Sequence, residues 1–235
     1  MKKDGELPNI MIATSFELPV VIMAGGKGTR MQPYSGILPK PLLLFENQPI
    51  IEKCIRNLIN YGFSRFYLLL HEHSELIRTY LSAIPLPCEI YYIVEPQPLG
   101  TVGGIGLLAG QLKGDFVLCN CDNLGLFSYA EAIEAHKKWG ADITILVKKQ
   151  SIQVPFGVIL NDGAYTVQKI AEKPIHTVQV STGIHIVNSR IFSLLQPISY
   201  RNMPDLINQT ASSGSVAFWD VGDGTWIDMS LIDGE

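Results

Sequence analysis

The segment from Pro19 to Leu43 reads PVVIMAGGKGTRMQPYSGILPKPLL. A short apolar run gives way to three glycines, Gly25, Gly26 and Gly28, then to Arg30 and a proline-flanked Lys40. Glycine adopts backbone angles closed to other residues and lets a ligand approach the main chain. Successive amide N–H groups in such a turn form a concavity for anionic oxygens, and Lys27, Arg30 and Lys40 surround it with positive charge. The chemistry that suits these residues is the binding of a phosphorylated ligand. The spacing is neither the GxGxxG of a dinucleotide turn nor the GxxxxGK[ST] of a P-loop. Taken alone, the turn leaves an ordinary strand-to-loop connection, with Arg30 and Lys40 as surface charges, as an equal alternative.

Elements that would position such a turn alternate along the chain. Val20–Ala24 reads as a buried strand, and a helix follows from Pro49, with Ile50, Ile51, Cys54, Ile55, Leu58 and Ile59 on one face and Gly62 at its end. Arg65–Leu70, Glu89–Val94, Asp115–Cys119 and Asp142–Val147 read as further strands. Ser74–Leu81 and a stretch around Thr101–Ala109 read as helices between them. Ser128 and Glu131 form a capping box that opens a helix to about Trp139. The pattern predicts an α/β fold with a doubly wound, mostly parallel, Rossmann-like sheet. After Gln150 the character changes. Gly157–Leu160, the turn Asn161-Asp162-Gly163 and Val167–Ala171 read as a hairpin. Val178–Val187, Val216–Trp219 and Trp226–Ile227 add strands, with a short helix between Ser189 and Leu195. The expected organisation is a linker or tail over 1–18 and a single domain over 19–235. Within that domain, 19–150 forms the nucleotide side and 151–235 supplies a smaller mixed β lid.

Composition bounds the function. The 235 residues are 47% hydrophobic, enough for one full core, and 17% charged with a net charge of −4, which argues against general nucleic-acid binding. Cys54, Cys88, Cys119 and Cys121 lack metal-type spacing, Cys119 and Cys121 read as core thiols of a hydrophobic strand, and a reducing, cytoplasmic compartment is expected. The N-terminus has Lys2 and Lys3 but no uninterrupted apolar region of signal-peptide length, and no stretch reaches membrane-span length, so neither a signal peptide nor a span is expected. His71 and His73 read as a surface pair, and His136 and His185 as structural.

The opening segment resembles the signature of the sugar-1-phosphate nucleotidylyltransferases, the family of glucose-1-phosphate thymidylyltransferase and mannose-1-phosphate guanylyltransferase. Ordered motifs extend the resemblance from about Pro19 to Asp228: EPQPLGTVGGI at 95–105, NCD at 120–122, FGV at 156–158, EKP at 172–174, STGI at 181–184 and TWID at 225–228. It is most similar to the subgroup often fused behind paired CBS domains, in which the family's usual NGD becomes NCD; residues 1–18 are too short to hold such a domain.

The resemblance implies that a nucleoside triphosphate and a sugar 1-phosphate give a nucleotide sugar and pyrophosphate. Both reactants are anionic, so positioning and charge neutralisation carry the catalysis. It implies Ala24, Gly25, Gly26, Gly28 and Thr29 along the nucleotide, with Gly100 and Thr101 in the base-side loop. Arg30 is expected on the triphosphate and Lys40 on the α-phosphate. Lys173 is expected on the sugar's phosphate, with Glu172, Gly157 and Thr182 near the sugar. Mg²⁺ prefers one or two carboxylates together with phosphate oxygens, and Asp122, just past the fourth strand, and Asp228 are its expected ligands. Ser181 stands where the family often has Asn and offers a shorter, simpler hydrogen-bonding group. Only seven residues follow Asp228, so the C-terminal β-helix of some relatives is not expected.

Glu95 opens the loop that in relatives faces the base. An ionised carboxylate only accepts hydrogen bonds. It matches the adjacent N1–H and N2–H₂ donors of guanine and opposes a carbonyl of uracil or thymine, which favours GTP. Two rivals stand beside this reading: a regulatory nucleotide-sugar binder on the same scaffold, and a cytidylyltransferase acting on a polyol phosphate or acidic sugar. The set Arg30, Lys40, Asp122, Lys173 and Asp228 speaks against the first, and EKP with TWID against the second. A homo-oligomer stays open.

Overall fold

A computed structural model describes residues 15–26, 38–161, 163, 165–196, 198–212 and 214–231. The expectations for Lys27, Gly28, Thr29, Arg30 and Asp162 lie outside the described residues. The strands are Val20–Met23 (β1), Leu44–Phe45 (β2), Gln48–Pro49 (β3), Arg65–Leu70 (β4), Glu89–Val94 (β5), Asp115–Asn120 (β6) and Asn123–Leu126 (β7). They continue as Ile143–Gln153 (β8), Gly157–Leu160 (β9), Lys169–Glu172 (β10), Ile175–Asn188 (β11), Val216–Asp220 (β12) and Thr225–Asp228 (β13). The α-helices are Ile50–Asn60 (α1), Ser74–Ala83 (α2), Tyr129–Trp139 (α3) and Met203–Ala211 (α4), with 3-10 helices at Lys40–Leu42, Gly103–Leu108 and Ser189–Leu194.

Seven strands form one sheet in the order β12-β8-β11-β6-β1-β4-β5. β1 pairs in parallel with β4 and β6, β4 with β5, and β12 with β8; β11 runs antiparallel to both β8 and β6. The mostly parallel expectation holds, with β11 as the reversed strand. β8 continues past residue 150 and, with β11, extends as a ribbon beyond the sheet.

Alternation along β1 explains the two cores. Val20 and Ile22 face α1, α2 and α3, where Ile50, Cys54, Leu58, Ile77 and Ile133 are buried. Val21 faces the other side, where Ile105, Ile191, Met203 and Leu206 pack. A parallel strand buried on both faces must be apolar at every position, as VVIM is. The expected capping box is present in part, since Ser128 Oγ accepts from Glu131 N–H at 3.3 Å. Phe16, within the stretch expected to be a linker, stacks on Phe63 at 4.8 Å and its N–H donates to the Gly62 carbonyl.

The stretch around Thr101–Ala109 is a 3-10 helix rather than an α-helix. Its glycines disfavour regular helix and allow close packing: a Cβ on Gly104 would lie 2.1 Å from Glu95 Oε1. Among the described residues, no helix is long and apolar enough to cross a membrane.

His185, on β11 beside Leu118 and Ile145, is 3% exposed, and its Nδ1 has no hydrogen-bond partner among the described residues. Burial holds its pKa down to about 4. The unfolded chain takes this proton near pH 6.5 and the folded chain only near 4, so stability is present above 6.5 and is lost as pH falls through that window. The expected loss is about 2–3 kcal/mol by pH 4.5. Urea midpoints at pH 7.5 and 4.5 should show it in the wild type, and His185→Leu should flatten the difference.

Candidate active site

The carboxyl ends of neighbouring parallel strands converge on one cavity, as open α/β sheets require of a ligand site. After β1 the chain runs through Ala24, whose N–H donates to the Leu69 carbonyl at 2.9 Å, to Gly25 and Gly26. After β6, Cys121 N–H donates to the Met23 carbonyl at 3.2 Å, and after β5, Glu95 N–H donates to the Leu70 carbonyl at 2.7 Å. The cavity they open is about 590 Å³. Ala24, Gly25, Gly26, Lys40, Glu95, Gly100, Thr101, Asp122, Thr182 and Asp228, all expected from sequence, line it.

Lys40 comes from the short 3-10 helix, where buried Pro41 and Leu42 anchor it. Its Nζ donates to Asp122 Oδ2, forming an ion pair whose side chains are 19% and 8% exposed. Asp228 enters through β13: it pairs with Asn123 of β7, and Met229 N–H donates to the Asp122 carbonyl at 2.8 Å. Asp228 Oδ1 accepts from Ser230 N–H at 2.9 Å and Ser230 Oγ–H at 2.6 Å. Lys40 is the sole cation among the described lining residues, against the carboxylates of Glu95, Asp122 and Asp228. Such a wall needs added positive charge before it can accept a polyphosphate. Among the described residues, no three His, Cys, Asp or Glu side chains cluster as a metal cage. Two carboxylates on one cavity wall suit a hard cation that completes its shell with ligand oxygens and water.

Glu95 is 7% exposed. Burial pushes its carboxyl above the ordinary carboxylate range, opposed by the hydrogen bond from Leu99 N–H and by His71. The Leu99 contact is 3.3 Å, and His71 Nδ1 donates to the Glu95 carbonyl at 3.0 Å. His71, expected as a surface loop residue, thus braces the cavity wall.

Thr182 is fully buried and spends its hydroxyl inside the protein, donating to the Leu146 carbonyl at 2.9 Å. The irregularity between Ser181 and His185 on β11 accommodates Gly183 at φ +72°. A Cβ there would lie 2.4 Å from Asn123 Nδ2 and 2.9 Å from Asn120 Nδ2. Gly183 thereby lets two asparagine amides approach the cavity.

Gly157, Glu172 and Lys173 stand apart. They belong to the β9–β10 hairpin, where Gly157 pairs with Glu172, all three are exposed, and none lines the cavity. Lys173 holds φ +45°, in the left-handed region.

Sequence reasoning missed Asn120, Asn123, Tyr200, Asn202 and Trp226 on the cavity wall. Asn123 Oδ1 accepts from Trp226 Nε1–H at 3.0 Å, joining two motifs that sequence reading keeps separate. The signal for Asn120 and Trp226 was their place inside the NCD and TWID motifs, and that for Asn123 its adjacency to Asp122. Tyr200 and Asn202 carried none.

Comparison with known proteins gives the family and the fold. The Nucleotidyl transferase family model matches residues 19–232. The mannose-1-phosphate guanyltransferase of Yarrowia lipolytica is 31% identical over 219 residues, covering 89% of this chain and 60% of the relative. That of Saccharomyces cerevisiae is 31% identical over 218 residues, covering 86% of this chain and 60% of the relative. The chain thus spans about 60% of the length of these curated relatives. HddC from Yersinia pseudotuberculosis shares the fold at a TM-score of 0.71 and 24% identity, covering 92% of this chain and 95% of that chain.

Proposed function

Given that the chain belongs to the nucleotidyl transferase family, we propose that it transfers a nucleoside monophosphate from a nucleoside triphosphate, GTP by preference, to a sugar 1-phosphate, releasing pyrophosphate. The observation that carries this reading is a single cavity that gathers the Gly25-Gly26 turn, the Lys40–Asp122 pair, Asp228 and Glu95. The similarity to mannose-1-phosphate guanyltransferases over most of the chain supports both the reaction class and the base.

In this reading the backbone of Ala24, Gly25 and Gly26 lies along the nucleotide, and the family resemblance assigns Gly28 and Thr29, outside the described residues, to the same ligand. Arg30 neutralises the departing pyrophosphate. Lys40 carries its ammonium to the α-phosphate, where charge builds during in-line attack. Asp122 orients that ammonium. Together with Asp228 it would hold Mg²⁺, which when bound neutralises and aligns the phosphate oxygens. The attacking phosphate oxygen is already ionised, so no general base is required. Glu172, Lys173 and Gly157 belong to a sugar-side flap formed by β9 and β10. The buried free thiols suit a reducing cytoplasm.

The test is pyrophosphate release across GTP, UTP, dTTP, CTP and ATP against a panel of sugar 1-phosphates. GTP should lead. Glu95→Gln, which can both donate and accept, should erode the lead by roughly tenfold, because an unpaired buried acceptor no longer opposes a pyrimidine carbonyl. Much better use of UTP, dTTP or CTP by the wild type would refute the base reading and leave the phosphate chemistry standing. No release with any pair would refute the transferase reading itself.

A further inference from the structure

Asn202 occupies the N-cap of α4, where such a side chain ordinarily accepts from an N–H of the first helical turn. Here it makes no capping bond. Its Oδ1 instead accepts from Thr101 N–H at 3.4 Å and stands 3.1 Å from the place of a Cβ on Gly100. The next residue tightens the same junction, since Met203 N–H donates to Thr101 Oγ1 at 2.8 Å. Asn202 lines the cavity alongside Glu95. With Oδ1 committed to Thr101, its amide N–H₂ is used by no hydrogen bond among the described residues.

Most backbone donors of the loop that Asn202 grips are missing or spent; Gln97 N–H and Gly100 N–H donate to nothing among the described residues, and Gly100 lines the cavity. Pro96 and Pro98 have no N–H. The N–H of Leu99 goes to Glu95 Oε2, that of Thr101 to Asn202, and those of Val102 and Gly103 to the Arg201 carbonyl at 3.0 and 3.2 Å. Guanine presents an oxo acceptor beside its N1–H and N2–H₂ donors. A carboxylate can take the donors but can only oppose the oxo group, so the edge calls for a neighbouring donor.

Resting on the proposed transferase reading, in which Glu95 faces the base, we infer that Asn202 is a specificity-determining residue whose side-chain amide donates to the oxo group of guanine. Glu95 and Asn202, held to opposite ends of one short loop, then form an acceptor–donor pair complementary to that base. A uniform role in holding the loop would instead affect every triphosphate alike.

Asn202→Asp separates the two roles. It keeps the acceptor for Thr101 N–H, removes the donor and supplies another favourable N-cap. The comparison is kcat/KM for GTP against 6-thioguanosine triphosphate, which keeps both donors and replaces the oxo group with a weakly accepting sulfur. The wild type should prefer GTP by about tenfold, and Asn202→Asp by about twofold or less. The ratio of GTP to inosine triphosphate, which lacks only the N2 amine facing Glu95, should stay at its wild-type value. A variant that keeps the tenfold preference, or loses both substrates equally, overturns the inference. So does a wild type that turns over GTP without discriminating the thio analogue, and the transferase reading then survives. If no sugar 1-phosphate supports pyrophosphate release, that reading fails instead, and calorimetric affinities of the two triphosphates for wild type and variant decide the role of Asn202 by the same ratio.

Discussion

Replacing Lys40 by Met or Asp122 by Asn is expected to lower turnover at least a hundredfold. The two side chains meet on the wall of the cavity that Gly25, Gly26 and Asp228 also line. Removing one charge contact to a transferring phosphoryl group costs on the order of 3 kcal/mol of transition-state stabilisation, about a hundredfold or more in rate. The pair is largely buried, so each single substitution also leaves an uncompensated charge and should lower stability. The double variant Lys40→Met/Asp122→Asn removes both charges and should recover part of that stability while recovering no activity. Thermal melts and steady-state rates on the three variants separate the effects. A single variant with near wild-type turnover in the presence of Mg²⁺ would overturn the placement of these groups on the reaction. A double variant that regains activity with stability would reduce the pair to a fold-stabilising contact.

What sequence could reveal followed the range of each interaction. Helix faces and the Ser128–Glu131 cap are local patterns, and the structure reproduces α1, α2 and α3, which they predict; of the glycine turn only Gly25 and Gly26 lie among the described residues. α4 escaped because Pro204 reads as a helix breaker. It lies in the first turn, where its missing N–H has no intrahelical partner to lose. β7 escaped because it is short and contains Gly125, and it becomes a strand only by pairing with β13, a hundred residues away. Periodicity carries no information about neighbours, so the reversal of β11 between β8 and β6 was equally hidden. At the site, motif residues could be named individually, yet their meetings could not. Lys40 and Asp122 are separated by 82 residues, and Thr101 and Asn202 by 101. The braced loop at Glu95 depends on such distant partners, which is why Asn202 left no local signature.

Lys173 offers the sharpest separation of function from fold. Its backbone sits at φ +45°, a region in which a side chain with a Cβ costs roughly 1–2 kcal/mol. The turn is held around it: Lys173 N–H donates to the Phe156 carbonyl at 3.3 Å, Gln153 Nε2–H donates to the Lys173 carbonyl at 3.5 Å, and Val154 N–H donates to the Pro174 carbonyl at 3.0 Å. None of these bonds uses the lysine side chain, which is exposed. Glycine would meet the backbone requirement without strain, and its greater freedom in the unfolded chain offsets part of that gain. Lys173→Gly should therefore leave the melting temperature no lower than wild type. If the ammonium neutralises the sugar's phosphate, the same variant should lower kcat/KM for sugar 1-phosphate by about a hundredfold. GTP affinity, read by calorimetry, should stay within about twofold, because in the proposed reading the triphosphate is held at the glycine turn and by Lys40. Equal losses for both substrates would place Lys173 on the nucleotide instead. Unchanged kinetics would make the left-handed lysine a tolerated surface residue and remove the β9–β10 hairpin from the sugar side.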